Sequence, residues 1–283
     1  MKIDLHMHST VSDGSLSPCE LAEACKEAGL SYAALTDHDT QGGVSEYLSA
    51  ARNLGLCAIS GMEFTVQYDG ELHILGYGFD EKHPALVARL AELAHEREER
   101  VAQMVYKLQK EGYRISLEKV REIAGDGVMG RPHIATALYL AGYAPGQEEA
   151  YRTFLEPGKP GWVIRRKISS EEAISLIRNA GGEAVWAHPM QAHYHDDDEM
   201  AARLTSEGLG GIEAYYPAHS DDDVAKYLAL ADKYGLFVTQ GSDYHGGMRH
   251  GTAISKETRG SHRLREDVSA LFARHRHTLG GRL

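Results

Sequence analysis

The sequence predicts an α/β protein, a distorted (β/α)7 barrel interrupted by a small helical insertion. Three observations predict it: short apolar runs alternate with amphipathic stretches in both outer parts of the chain, helix signals alone fill the stretch from about residue 84 to 162, and most apolar runs end at histidine or a carboxylate. Alternating strands and helices imply a parallel sheet. Polar residues gathered just past strand ends fit a barrel, whose strand carboxyl ends share one face.

The first strand, residues 2–6, leads into His6-Met7-His8, with Asp13 shortly after. Residues two apart on a strand point to one face, so both imidazoles can reach one cation. Ser17-Pro18 followed by Glu20 supplies an N-cap, a first-turn proline and an acidic first turn. Leu21, Ala24, Cys25 and Ala28 then form an apolar stripe that ends at Gly29. The strand at 32–36 runs into Asp37-His38-Asp39, and a helix from Gly43 to Leu54 returns the chain to a strand at 56–61 that leads to Glu63. The strand at 71–76 carries His73 within it.

Pro84 to Glu111 reads as one long helix with Leu86, Leu90, Leu93, Val101, Met104, Val105 and Leu108 on its apolar face. Shorter helices follow from Ser116 to Ala124, Pro132 to Ala141 and Glu148 to Leu155, and Pro157-Gly158-Lys159-Pro160-Gly161 reads as the return linker. A helix from Ser169 to Ala180 resumes the alternation. The strand at 183–187 ends at His188-Pro189, the strand at 211–214 leads toward His219, and a helix from Asp222 to Tyr234 precedes the strand at 236–240, which ends at Gly241-Ser242-Asp243-Tyr244-His245. These seven strands are one fewer than a complete eight-stranded barrel. The expected organisation is a barrel domain from residues 1–83 and 162–283, with a helical insertion at 84–161 set over the strand ends.

The chain has 283 residues, 42% hydrophobic, which suits a barrel with an insertion. Its formal net charge of −11 argues against an extended nucleic-acid surface, while a pocket holding divalent ions could still take a nucleotide. Cys19, Cys25 and Cys57 lie in apolar patterns and read as reduced packing residues of a cytoplasmic protein. No signal peptide precedes the first strand and no apolar run approaches about 18 residues, so neither export nor a membrane span is expected. Imidazole and carboxylate together suit zinc, manganese or iron, and no cysteine stands among the candidate ligands.

In order, His6-Met7-His8, Asp37-His38-Asp39, His188-Pro189 and Gly241-Ser242-Asp243-Tyr244-His245, with Glu63 and His73 between, resemble the motifs of the PHP superfamily, the polymerase and histidinol phosphatase group of phosphoesterases. The insertion and its Gly130-Arg131-Pro132-His133-Ile134-Ala135 segment look most like the stand-alone nucleotide bisphosphate phosphatases and 5′-to-3′ exoribonucleases. That resemblance implies a trinuclear centre of manganese, iron or zinc. His6, His8, Glu63 and Asp243 would hold one metal, Glu63, His73 and His188 a second, and Asp13, His38 and His245 a third, with Glu63 bridging.

Paired metals lower the pKa of a bridging water and hold a phosphate oxygen, so a hydroxide placed for in-line attack on phosphorus is the expected nucleophile. His219 is expected to assist as an acid or phosphate donor, and Asp37 and Asp39 to orient ligand imidazoles. Arg131, His133 and Lys159 are expected to meet a second phosphate of the substrate, although Arg131-Pro132-His133 also reads simply as a helix start. A 3′,5′-nucleotide bisphosphate and a short 5′-phosphorylated RNA both fit this plan. Rival functions are histidinol phosphate hydrolysis, cyclic nucleotide hydrolysis, hydrolysis of C–N bonds, or a non-catalytic PHP module.

Other conspicuous residues have plainer readings. His195-Asp196-Asp197-Asp198-Glu199 offers ligands for a cation but reads first as an acidic loop capping the following helix. His83, His95, His193 and His250 read as surface residues, and Arg274-His275-Arg276-His277 as a basic helix end. Trp162, Trp186, Tyr215 and Tyr216 offer faces on which a base could stack but read first as core aromatics, Tyr216 lying nearest the expected rim.

Overall fold

In the computed structural model, residues 1–68, 70–125, 129–164, 167–192, 194–248, 252–255, 257 and 262–276 are described. His193, His250 and His277 therefore lie outside the described residues. The chain divides into two compact units, Met1–Leu90 with Lys167–Leu283, and Ala91–Arg166.

The larger unit starts with β1 (Ile3–Asp4), followed by α1 (Pro18–Glu27), β2 (Tyr32–Ala34), α2 (Val44–Leu54), β3 (Cys57–Ile59), β4 (Gly61–Val66) and β5 (Leu72–Tyr77). α1 begins as its sequence demands: the Ser17 hydroxyl accepts from the Glu20 N–H and the Glu20 carboxylate accepts from the Ser17 N–H, a reciprocal capping box. α3 (Pro84–Lys110) carries the chain into the smaller unit, where α4 (Leu117–Ala124), α5 (Arg131–Leu140) and α6 (Gln147–Phe154) follow. The division between the units thus falls within α3. Back in the larger unit come α7 (Ser170–Asn179), β6 (Glu183–Trp186), α8 (Asp197–Glu207), β7 (Gly211–Tyr215), α9 (Asp221–Tyr234), β8 (Phe237–Gln240) and α10 (His262–Arg274).

β1, β2 and β3 form one parallel sheet, and β4 to β8 form a second in sequence order. Among the described residues the strands do not form a closed barrel of seven parallel strands. Among the described residues there are eight strands, because the run expected at 56–61 breaks at Ser60 into β3 and β4. β5 also runs antiparallel to both β4 and β6, and only β6, β7 and β8 are mutually parallel in that sheet. Loop length dictates the reversal: residues 67–71 between β4 and β5 allow a hairpin, whereas a parallel crossover needs about a dozen residues or more. This explains why His73 lies inside its strand. On an antiparallel strand, the end beside the carboxyl terminus of β4 is the beginning.

The segments that carry the candidate ligands also tie the two sheets together. On one side the Leu5 N–H donates to Gln240 O (3.0 Å), His8 N–H to Tyr244 O (2.8 Å) and Asp243 N–H to His6 O (2.8 Å). On the other, Glu63 N–H donates to Asp37 O (3.1 Å) and Asp39 N–H to Glu63 O (2.8 Å). α1 and α2 pack Leu21, Cys25, Tyr47 and Ala51 against Ala33, Leu35 and Ala58 of the first sheet, each buried. A fully buried Leu, Ile or Phe side chain contributes roughly 1.5–3 kcal/mol. The smaller unit has its own core, including Met104, Leu108, Val120, Ile134, Leu138 and Phe154.

Candidate metal centre

Glu63, fully buried on β4, is the hub of the site. Its Oε2 lies 3.3 Å from His6 Nε2, 3.3 Å from His8 Nε2 and 3.0 Å from His38 Nδ1. Its Oε1 lies 2.8 Å from His73 Nδ1 and 3.1 Å from His188 Nε2. Asp243 Oδ1 approaches His8 Nε2 at 3.2 Å and His6 Nε2 at 3.6 Å, and Asp13 Oδ1 approaches His245 Nε2 at 3.3 Å. All nine residues expected as ligands are thus brought together.

Their donor atoms form three groups, each with its atoms within 4.8 Å of one another: His6, His8, Glu63 and Asp243; His38, Glu63 and His73; and His8, Asp13, His38 and His245. The resemblance groups His188 with Glu63 and His73, whereas here the mutually close triad takes His38, and His188 reaches the same Glu63 oxygen as His73. His8 joins the group expected to contain only Asp13, His38 and His245.

Local backbone explains how so many side chains converge. Among the described residues, the non-glycine positions with positive φ are Asp39 (53°), His188 (24°) and Asp243 (54°), all at this site. Such conformations cost energy for side chains with a Cβ and cluster where function requires them. The loop bearing Asp13 folds back so closely that a Cβ on Gly14 would collide with the His8 carbonyl. Asp37 holds that loop by accepting from the Ser9 N–H (2.8 Å), the Ser9 hydroxyl (2.6 Å) and the Ser12 hydroxyl (2.5 Å).

A metal-free reading leaves this arrangement unsatisfied. His6 Nε2, both ring nitrogens of His8, His38 Nδ1, His188 Nδ1 and Glu63 Oε2 are buried without a hydrogen-bond partner. Buried polar groups are normally paired, and convergent exceptions call for a ligand. The donor set, imidazoles with carboxylates and no thiolate, fits divalent manganese, iron or zinc. The electrostatics agree. Burial opposes ionisation of Glu63, yet His38, His6 and His73 hold its carboxyl well below the ordinary range. Burial likewise opposes charge on His8, but Asp243 and Glu63 push it up to about 10. Burial lowers His38 to about 4, against the pull of Glu63 and Asp13. A cluster that strains both to gain protons and to exclude them is suited to a cation in their place.

The remaining predicted residues are not members of these groups. His219 is buried, its Nδ1 donates to Ala214 O (2.9 Å), and its ring packs on Tyr216 and Tyr227 at 5.3 and 4.8 Å. Burial lowers its pKa, which favours the neutral ring. Arg131, His133 and Lys159 belong to the smaller unit. There the Arg131 guanidinium lies over Tyr151 (4.8 Å) and Trp162 (5.5 Å), His133 Nδ1 accepts from the Gly130 N–H (3.0 Å) as part of the α5 cap, and Lys159 is exposed in a turn.

Asp37 serves the Asp13 loop, and Asp39 Oδ1 accepts from the Thr65 N–H (3.0 Å). Tyr216, read as a core aromatic, donates its hydroxyl proton to Asp243 Oδ2 (3.2 Å) and accepts from Gln191 Nε2 (2.5 Å). Glu213 is outside the expected site residues, although a carboxylate in the middle of an apolar strand is a signal in itself.

Comparison with known proteins follows the same line. The model of the PHP domain matches residues 4–157. Over 249 residues the chain is 36% identical to the 3′,5′-nucleoside bisphosphate phosphatase of Chromobacterium violaceum, covering 86% of this chain and 87% of the relative. Over 250 residues it is 33% identical to the 5′-3′ exoribonuclease Rnm of Escherichia coli, covering 86% and 84%. A solved structure described as an amidohydrolase from Chromobacterium violaceum, with bound sulfate and no metal, superposes with a TM-score of 0.83 at 33% identity and covers 97% of both chains.

Proposed function

The chain belongs to the PHP domain family, and from that premise we propose that it is a metal-dependent phosphoesterase that hydrolyses a phosphate ester of a small nucleotide, with a 3′,5′-nucleotide bisphosphate as the preferred substrate. The observation that carries the metal-dependent class is the convergence of six imidazoles and three carboxylates on one largely buried centre, with several of their nitrogens left without partners. The named activities of the relatives, phosphatase and exoribonuclease, are both phosphate ester hydrolysis and support the same class.

His6, His8, Glu63 and Asp243 would hold one divalent ion, Glu63 with His73 and His188 a second, and Asp13, His38 and His245 a third, each neutral imidazole giving its one lone pair to one ion. Bound ions would supply Lewis acidity toward phosphate oxygens and lower the pKa of coordinated water. Glu63 would keep the centre compact by serving two groups with its two oxygens. Tyr216 holds Asp243 in register through its hydroxyl. His219, neutral and tied to Ala214 through Nδ1, would act as an acid only after taking a proton, so we assign it to transfer at the leaving oxygen once substrate charge raises its pKa. Arg131, with His133 and Lys159, would anchor the phosphate that is not cleaved, the planar guanidinium being suited to a bidentate contact. Among the described residues no helix is long and apolar enough to cross a membrane, and we read the protein as a cytoplasmic enzyme acting on free nucleotides or RNA ends.

The test is product analysis with Mn²⁺-supplied protein beside Glu63→Ala: inorganic phosphate from 3′,5′-adenosine bisphosphate and histidinol phosphate, and nucleoside monophosphate from a cyclic nucleotide and a short 5′-phosphorylated RNA. Bisphosphate or RNA turnover that disappears in the variant is the expected result. Turnover of histidinol phosphate alone, or of none, refutes the nucleotide reading.

A further inference from the structure

Glu213 lies in the middle of β7, fully buried, and is absent from the three ligand groups. Its Oε1 and Oε2 lie 3.2 and 3.3 Å from His6 Nδ1, and Oε2 also accepts the His188 backbone N–H at 2.8 Å. A carboxylate only accepts, so the ring nitrogen facing it carries the proton. With the proton on Nδ1, the neutral ring presents its lone pair at Nε2. That is the nitrogen 3.3 Å from Glu63 Oε2 and 3.6 Å from Asp243 Oδ1, within a ligand group.

The second contact acts on the main chain. His188 has φ 24°, a conformation its side chain resists, and the bond from its N–H to Glu213 holds that turn while its Nε2 reaches Glu63. A third feature clears the way: a Cβ at Gly241 would collide with both His6 Cβ and Glu213 Oε1, so glycine there lets the carboxylate reach the ring.

We propose that Glu213 is a positioning residue of the metal centre, fixing the His6 tautomer that offers Nε2 to a cation and, with its other oxygen, the turn that presents His188. The inference rests on the metal-centre reading above. Carboxylate partners of this kind orient ligand imidazoles and raise their basicity, and their removal weakens metal affinity by about 10- to 100-fold.

Glu213→Gln keeps the volume but places an amide NH₂ or a single oxygen where two acceptors stood. The His6 ring then loses its partner or moves its proton to Nε2, the ligand nitrogen. Mn²⁺ titration should show about a 10- to 100-fold weaker site in the variant. In Zn²⁺-loaded protein with ¹⁵N-labelled histidine, the wild type should show a low-field, slowly exchanging Nδ1–H for His6 that the variant shifts or loses. A variant that only melts earlier, with unchanged Mn²⁺ affinity and an unchanged His6 resonance, reduces Glu213 to a packing group and overturns the proposal. The wild-type spectrum decides even if the variant does not fold, since a His6 ring without a proton on Nδ1 also overturns it. Wild-type protein that takes up neither metal refutes the metal-centre reading and this role together.

Discussion

Replacing Glu63 by Gln should remove more metal than replacing any single-group ligand, and the number can be worked from the geometry. Glu63 belongs to two of the three donor groups, whereas Asp13 belongs to one. A unit charge about 4 Å from its partner, at an effective dielectric near 20, is worth about 4 kcal/mol. Removing such a charge from beside a dication costs at least that much, roughly a thousandfold in affinity at each site it serves. At micromolar metal both groups that share Glu63 should empty. Asp13→Asn should empty only its own, the loss being reduced because the Asp13 side chain is 42% exposed. The assay is metal content by mass spectrometry after desalting, paired with Mn²⁺ titration of the chelated proteins. Glu63→Gln is expected to lose two equivalents relative to wild type and Asp13→Asn one. Equal losses from the two variants would refute the bridging role of Glu63.

Stability should respond to pH through His8, whose folded-state value of about 10 stands above the ordinary 6.5. Between these values the folded chain holds a proton that the unfolded chain has released, so that contribution is complete below 6.5 and is lost as pH rises through about 10. Melting in chelator should therefore fall from neutral pH toward pH 10, with metal-loaded protein resisting the decline; a rise in the chelated melting temperature over that window contradicts it. Tyr216→Phe removes one hydrogen bond to the Asp243 carboxylate, and at about 1.5–3 kcal/mol for a bond to a charged group the expected effect is at least tenfold weaker metal binding or turnover; wild-type titration and kinetics would exclude the role. Arg131→Ala should raise KM for a nucleotide bisphosphate while leaving a nucleotide with a single phosphate unaffected. Equal effects on both substrates, accompanied by earlier melting, would assign Arg131 to its stack with Tyr151 and Trp162.

The α/β alternation, the helical interruption and the identity of the residues that meet at the centre are all legible along the chain. Each of these is written in local signals: caps and glycines bound α1, period-two histidines follow β1, and polar residues stand just past apolar runs. The tertiary structure decided the pairing. Whether β5 lies parallel or antiparallel depends on the short loop before it and on its neighbours, and the break at Ser60 that separates β3 from β4 is invisible in an apolar run. The supporting partners were equally illegible for a physical reason. The Glu213 to His6 contact spans 207 residues and Tyr216 to Asp243 spans 27. No periodicity links such residues; only the packing of β7 beside β8, and of β8 beside the segment after β1, brings the carboxylate to the ring.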